Sequence, residues 1–172
     1  MSVQVSYKKQ TIFFIILIFI FLSAIEITIR IYDFYNPNCN FVNSDVFAEV
    51  DDELKLQICR DNIALKWDRN PLSLIPNQNL NTISVNSEGF RGNELSLNPD
   101  YRIFIIGGST TFGVGSTSDS KTIPYYLQEK FTQIFSNQNI EVINAGIPQA
   151  DSFTESTLIK EKILSYSPDL LI

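Results

Sequence analysis

The longest apolar stretch of the chain lies close to its amino terminus. Thr11 to Ile25 is an uncharged run of 15 residues that follows Lys8 and Lys9. As a helix this run would span about 22 Å, which is short of the roughly 30 Å of a hydrocarbon core. Apolar residues continue at every second position as far as Ile31, so a helix that extends to about Tyr32 would complete a membrane crossing.

From Tyr101 onwards, short apolar runs alternate with amphipathic segments. The predicted strands and helices follow one another in the order Arg102–Ile106 (strand), Thr122–Phe135 (helix), Ile140–Ile143 (strand), Asp151 or Ser152 to about Tyr166 (helix) and Asp169–Ile172 (strand). Strands that alternate with helices indicate an α/β fold with a parallel sheet covered by helices. Because the last apolar strand reaches Ile172 with its edge unfinished, we expect the intact protein to continue beyond it.

Each predicted helix has apolar residues at helical spacing. These positions are Ile123, Leu127, Phe131 and Ile134 in the first helix, and Phe153, Ile159 and Ile163 in the second. Thr122 is suited to cap the first helix, and Pro124 is suited to its first turn. We expect both apolar faces to cover the sheet.

The segment from residue 33 to residue 100 is rich in Asn, Asp and Pro, which interrupt regular structure. We interpret it as an irregular connector in which Leu54–Ile58 and Ile63–Trp67 form strands or turns that pack on the main domain. The sequence SVNSEGFRG, from Ser84 to Gly92, has two interpretations. In one, Phe90 fills a pocket and Arg91 pairs with a carboxylate such as Glu94; in the other, the segment is a surface turn.

The amino-terminal pattern favours an uncleaved anchor over a cleaved signal peptide. Ser23 and Ala24 are adjacent, whereas a cleavage site needs small residues at the −3 and −1 positions. A buried helix of a soluble protein is a poor fit to this many apolar residues behind two lysines. The positive-inside rule then places residues 1–10 in the cytoplasm, residues 11–32 in the membrane and the remainder outside. In that compartment Cys39 and Cys59 are able to form a disulfide, and the sequence leaves their pairing open.

Composition excludes several classes of function. The chain is 44% hydrophobic and 19% charged, with a net charge of −6, and so lacks the basic surface that nucleic acids require. There is no CxxC pair and no histidine, so we expect neither a zinc cluster nor another metal cofactor. The glycine-rich GGSTTFGVGS lacks the G-K-[ST] ending of a phosphate-binding loop, and the acidic residue of a dinucleotide fold is absent after the next strand.

The candidate chemistry lies in YRIFIIGGSTTFGVG, from Tyr101 to Gly115. An apolar strand that stops at Gly107 and Gly108 and presents Ser109 has the geometry of an exposed nucleophile, although an incidental serine in a glycine-rich turn has the same pattern. A serine nucleophile needs a base to take its proton, and no histidine occurs in the 172 residues. The sequence therefore supplies half of such a mechanism.

The motifs IGGSTTFGVG, INAGIPQADS and SPDLLI, in this order, resemble those of the SGNH (GDSL-like) hydrolases. NSEGFRG and IEITIR further upstream resemble a membrane-anchored branch of that superfamily. The resemblance implies a three-layer α/β/α, flavodoxin-like fold, of which residues 101–172 would be an incomplete amino-terminal part. It also implies that Ser109 is the nucleophile and that the N–H groups of Ser109 and Gly146 form the oxyanion hole.

The sequence departs from the family in two respects. Gly108 stands where the family has an aspartate, which removes a carboxylate beside the serine. The family's later Asn and its Asp-x-x-His are expected beyond Ile172, so these 172 residues alone should be nearly inert.

The resemblance implies an anchored ester hydrolase that acts on a small-molecule or glycan ester through an acyl-enzyme. An O-acetyltransferase or deacetylase of cell-surface glycans, and a non-catalytic envelope protein that keeps only the fold, remain as alternatives. No cofactor is expected beyond the serine chemistry, and the oligomeric state is left open.

Overall fold

The computed structural model describes residues 6–37, 39–69 and 72–172. In chain order the elements are α1 (Tyr7–Tyr35), α2 (Asp52–Ala64), β1 (Trp67–Arg69), β2 (Leu72–Leu74), β3 (Gln78–Asn79), β4 (Ser84–Val85), β5 (Tyr101–Gly107), α3 (Ser109–Phe112), α4 (Ile123–Ile134), β6 (Ile140–Gly146), α5 (Ser152–Glu161) and β7 (Leu170–Leu171). Short 3₁₀ helices lie at Asn40–Asn43, Asp45–Phe47, Asp119–Lys121 and Ile163–Tyr166. The chain divides into two compact units, one that ends before Cys39 and one from Cys39 to Ile172.

The first unit contains α1, which has 29 residues and is about 43 Å long. Its mean hydropathy reaches 2.9 and none of its residues is buried. By length and composition this helix is able to span a membrane, and a signal sequence would meet the same criteria. The predicted helix is confirmed and is longer than the apolar run alone. Arg30 forms an ion pair with Glu26 one turn earlier, with 2.7 Å between Nε and Oε1.

The second unit begins at Cys39, well before Tyr101, so it includes all of the segment interpreted as a connector except its first six residues. The expectation of strands or turns at Leu54–Ile58 was wrong, because α2 covers these residues. Asp51 caps this helix by accepting a hydrogen bond of 2.9 Å from the N–H of Leu54. Two carboxylates follow in the first turn, where they interact favourably with the helix dipole.

The pairing of the cysteines, which the sequence left open, is settled by the structure. Cys39 and Cys59 form a disulfide with 5.6 Å between their Cα atoms. It links the start of the compact unit to the middle of α2. Both cysteines are buried.

The interpretation of Ser84–Gly92 as a surface turn was also wrong. Phe90 is 2% exposed and Arg91 is 4% exposed. The Phe90 ring lies edge-on to that of Phe104 on β5, with ring centroids 5.3 Å apart. Arg91 forms isolated bridges to Val85 and to Asn144, so this segment connects the β3–β4 hairpin with β6.

Within the described residues the parallel sheet has the strand order β6-β5-β7. β5 pairs with β6 along its whole length, from Tyr101 opposite Ile140 to Gly107 opposite Gly146. β7 pairs with the other side of β5 through Leu170 and Leu171. The predicted strands are therefore confirmed, and the protein has an α/β fold with a small parallel sheet.

Two apolar clusters stabilise this unit. One packs β5 and β6 against α5 and the following 3₁₀ helix, and its buried members are Phe90, Phe104, Ile143, Ala145, Ile147, Leu158 and Ile163. The other packs residues 65–85 against α3, and its buried members are Leu65, Leu74, Ile83, Val85 and Phe112. The second cluster shows that short apolar pieces of this segment pack on the rest of the unit, because Leu65, Leu74, Ile83 and Val85 are buried together with Phe112.

The predicted apolar faces of the helices are only partly buried. On α4, Ile123 and Ile134 are 57% and 69% exposed, and on α5 Phe153 is 78% exposed. α4 lies against β6 instead through Gln128, whose side chain donates to the carbonyl of Ile140 and accepts from the N–H of Val142. Helical spacing predicted the elements correctly and some of their buried positions wrongly.

Candidate active site

Ser109 lies where the central strand of the sheet ends. β5 stops at Gly107, Gly108 is the N-cap of α3, and Ser109 is the first residue of that short helix. The serine is exposed, and its hydroxyl makes no hydrogen bond within the described residues. The carboxyl ends of parallel strands are the usual site of ligand binding in α/β proteins. The predicted nucleophile is therefore accessible.

Two glycines allow α3 to approach the ends of the strands closely. A Cβ on Gly107 would lie 2.3 Å from Oγ1 of Thr111. A Cβ on Gly146 would lie 2.2 Å from the backbone nitrogen of Phe112. Only a residue without a side chain fits at Gly146, because real Cβ atoms do not approach backbone atoms so closely, whereas at Gly107 the Thr111 side chain would have to move. Gly107 and Gly146 thus permit the close packing of the short helix that carries Ser109.

The N–H of Gly146, predicted as an oxyanion donor, already has a partner. It donates to Oδ1 of Asn144 at 3.0 Å, and Gly146 is buried. As an oxyanion donor Gly146 stays a prediction, and that role would require this hydrogen bond to open. In the structure, Gly146 lies in close contact with the backbone of Phe112.

A backbone N–H in the turn that follows β6 has no hydrogen-bond partner among the described residues. The N–H of Ala150 donates to the carbonyl of Ile147, which closes a β-turn with Pro148 and Gln149 at its centre. Gln149 has a φ of 67°, and a proline followed by a positive φ is the pattern of a type II turn. The N–H of Gln149 forms no hydrogen bond in this turn.

This turn contacts the two glycines that precede Ser109. The N–H of Ile147 donates to the carbonyl of Gly107, and a Cβ on Gly108 would lie 3.5 Å from the carbonyl oxygen of Ala150. Sequence reasoning missed Gln149 because a glycine is the usual residue at such a φ. The Pro-Gln pair directly after the second strand was the available signal.

Arg91 binds the carboxyl end of α3 through its guanidinium group. Its Nη1 donates to the carbonyls of Phe112 and Gly113 at 3.0 and 2.8 Å, and its Nη2 donates to the carbonyl of Thr82 at 2.9 Å. Its Nε donates to Oδ1 of Asp119 at 2.7 Å. The guanidinium also stacks on the ring of Phe112, 4.7 Å from its centroid. We call Arg91 and these partners the Arg91 network.

The expected pairing of Arg91 with a carboxylate is confirmed, but the partner is Asp119 and not Glu94. Glu94 instead accepts hydrogen bonds from the backbone and hydroxyl of Ser87. Asp119 also accepts hydrogen bonds from the N–H and the hydroxyl of Ser84, at 3.0 and 2.6 Å. Burial lowers the pKa of Arg91, and the ion pair with Asp119 partly offsets that effect. The side chain is nonetheless a cation at neutral pH, because the ordinary pKa of arginine is so high.

Other features of this surface are less suited to chemistry. A cavity of about 270 Å³ lies along the outer edge of β6, and Ser109 does not line it. Across the described ranges, no group of three His, Cys, Asp or Glu side chains is placed to hold a metal ion. The candidate site thus consists of the exposed Ser109 hydroxyl, the turn after β6 that contacts Gly107 and Gly108, and the buried Arg91 that binds the end of α3.

Comparison with known proteins gives no family assignment: no protein-family model matches the chain, and no curated protein matches it significantly.

Proposed function

We propose that this chain carries the nucleophile and oxyanion part of a serine ester hydrolase of the SGNH (GDSL-like) type. The observation that carries the proposal is the exposed Ser109 hydroxyl at the carboxyl end of β5, on a turn held by Gly107 and Gly146. In the reaction, Oγ of Ser109 attacks the ester carbonyl and its proton passes to a base. The alcohol then leaves with a proton, and water hydrolyses the acyl-enzyme.

The strand order supports the assignment to this type of fold. β6-β5-β7 corresponds to the order 2-1-3 with which flavodoxin-like sheets begin. In this proposal further strands extend the sheet beside β7, and helices on both faces give three layers. Ser109 follows β5, which is strand 1 of that order. The nucleophile has the same position in the motif that the sequence resembles.

Backbone N–H groups would stabilise the oxyanion. The proposal uses the N–H of Ser109 together with that of Gln149, because the N–H of Gly146 is engaged by Asn144. Such donors are effective when they are fixed in place before charge develops, and removal of one typically costs about 100-fold or more in rate. The left-handed φ of Gln149 is the kind of backbone strain that is often found at active sites.

The mechanism needs a base that these residues do not provide. The 172 residues contain no histidine, and across the described residues no carboxylate forms a hydrogen bond with Ser109. In the proposed mechanism the base therefore comes from outside residues 1–172. Without it, the hydroxyl alone would give little catalysis, because the members of a catalytic triad act as a unit.

The disulfide and α1 support an extracytoplasmic location for the compact unit. Disulfides persist in oxidising compartments, and Cys39 and Cys59 are bonded to each other. Lys8 and Lys9 lie at the start of α1, where the positive-inside rule places the cytoplasm. We therefore propose a single-pass membrane protein whose substrate is an ester of a small molecule or of a cell-surface glycan.

The test is labelling of the full-length gene product with a fluorophosphonate, which phosphonylates activated serines. We expect one adduct, located on Ser109 by mass spectrometry and lost in Ser109→Ala. Thr110→Ala is the matched control, because Thr110 is also an exposed hydroxyl residue on the same short helix. A wild-type protein that is not labelled would refute the proposal and favour a non-catalytic role. Transfer of the acyl group to a glycan instead of water would identify an acyltransferase.

A further inference from the structure

The short helix that carries Ser109 needs support at both ends. α3 has four residues, whereas isolated helices shorter than about 12 residues are only marginally stable in water. Its amino end follows directly from β5, which the sheet fixes. Its carboxyl end leaves backbone carbonyls without helical partners. The position of Ser109 thus depends on what binds those carbonyls.

The Arg91 network supplies these partners. Nη1 of Arg91 binds the carbonyls of Phe112 and Gly113, and Nδ2 of Asn144 binds the Phe112 carbonyl at 3.1 Å. Gly113 has a φ of 88° and donates its N–H to the carbonyl of Ser109 at 2.9 Å. The guanidinium is therefore connected to the Ser109 backbone through a single residue.

The guanidinium is itself fixed on its other sides. The Arg91 side chain is 1% exposed, and Asp119 and the carbonyl of Thr82 hold its Nε and Nη2. Thr82 is in turn bound by Asp61 on α2, which accepts from both its N–H and its hydroxyl. A planar, five-donor side chain suits this arrangement, whereas lysine has one nitrogen and would lose most of these contacts.

We propose that Arg91 is a positioning residue for Ser109: it orders α3 and so holds the nucleophile in its reactive position. This inference rests on the proposed function. The hydrogen bonds of Arg91 go to Asp119 and to backbone carbonyls and not to the Ser109 hydroxyl, so it acts through the carbonyls of Phe112 and Gly113. The chain offers a matched control in Arg102, which is also largely buried, forms an ion pair of 2.7 Å with Glu141 and donates to two carbonyls.

The experiment compares Arg91→Lys with Arg102→Lys in the full-length gene product. The rate of fluorophosphonate labelling is measured over a range of probe concentrations, well below the unfolding temperature of each variant. We expect the maximal labelling rate constant of Arg91→Lys to fall about 10- to 100-fold, with little change in the half-saturating probe concentration. Arg102→Lys should keep the wild-type rate constant. A purely structural loss would reduce the labelled endpoint and leave the rate constant of the folded fraction unchanged.

A second measurement reports the local stability of α3 and does not depend on labelling of Ser109. Hydrogen exchange of the peptide that covers residues 108–115 should be about tenfold faster in Arg91→Lys than in the wild type, and unchanged in Arg102→Lys. If Arg91→Lys does not fold, Asp119→Asn decides the question, because it removes the charge that holds Nε and keeps the shape. We expect the same changes in that variant at a smaller size.

The outcomes separate the two proposals. A wild-type protein without labelling at Ser109 refutes the proposed function, and the positioning role falls with it. A labelled wild type with wild-type rates and exchange in both Arg91→Lys and Asp119→Asn overturns the positioning role alone. Slower labelling with faster exchange of α3 supports both.

Discussion

Substitution of Gly146 by alanine would test how closely α3 must pack on the sheet. The added methyl carbon would lie 2.2 Å from the nitrogen of Phe112, 2.7 Å from its Cα and 2.8 Å from the carbonyl carbon of Thr111. These are backbone atoms, so a rotamer change does not relieve the clash. The carbon needs a separation of about 3.5 Å, and α3 would have to move by roughly 1 Å.

The expected loss follows from that displacement. Overpacking of a well-packed region costs about 1–3 kcal/mol, and 2 kcal/mol would lower the Tm of a unit of this size by about 6–8 °C. The assay is urea and thermal unfolding in mild detergent, followed by the fluorescence of Trp67. This residue is the chain's single tryptophan, and it packs against the cluster that contains Phe112.

Two other glycines provide the controls for Gly146→Ala. Gly108→Ala would meet only ordinary contact at 3.5 Å, and Gly92→Ala would meet nothing within 4 Å although its φ of 107° is strained for alanine. We expect Gly108→Ala to stay close to the wild type and Gly92→Ala to reveal the cost of φ alone. If Gly146→Ala proves as stable as Gly108→Ala, the close packing of α3 on β6 is refuted.

Two further predictions concern stability. Replacement of Cys39 and Cys59 by serine should lower the free energy of unfolding by about 3 kcal/mol, as expected for a closed loop of about 20 residues. Reductant should shift the urea midpoint of the wild type but not that of this variant. Burial and a hydrogen bond to Glu88 raise the pKa of Tyr166 to about 12, from an ordinary value of 10.0. The stability that this hydroxyl contributes is therefore complete below pH 10 and is lost as pH rises towards 12. Unfolding midpoints measured across this range should fall in the wild type and fall less in Tyr166→Phe; equal slopes would contradict the assignment.

The sheet could be predicted from the sequence, and much of what packs around it could not. β5 and β6 are mostly apolar strands that end at glycines, which is a strong local signal. In α2 the apolar positions are few, and its signal was the capping Asp51 with the acidic residues that follow it. Burial of short apolar pieces such as Ile83 and Val85 depends on Phe112, more than 25 residues later in the chain.

The site was predictable to a similar extent. Ser109 follows a strand and a glycine pair, so its exposure could be anticipated from local pattern. The partner of Arg91 could not, because Asp119 lies 28 residues away whereas Glu94 lies close in sequence. Whether the N–H of Gly146 is available depends on the side-chain conformation of Asn144, about which an amino-acid pattern carries no information.

The side chain of Gln128 occupies backbone groups at the β6 edge of the sheet. Its amide binds Ile140 and Val142 as a neighbouring strand would, and the backbone of Arg91 takes the carbonyl of Asn144. The β6 margin is thereby closed to another extended chain, which removes a common route to edge-to-edge aggregation. Substitution of Gln128 by leucine would leave the carbonyl of Ile140 and the N–H of Val142 available to another strand. Self-association of the chain should then become sensitive to a residue that is remote from Ser109.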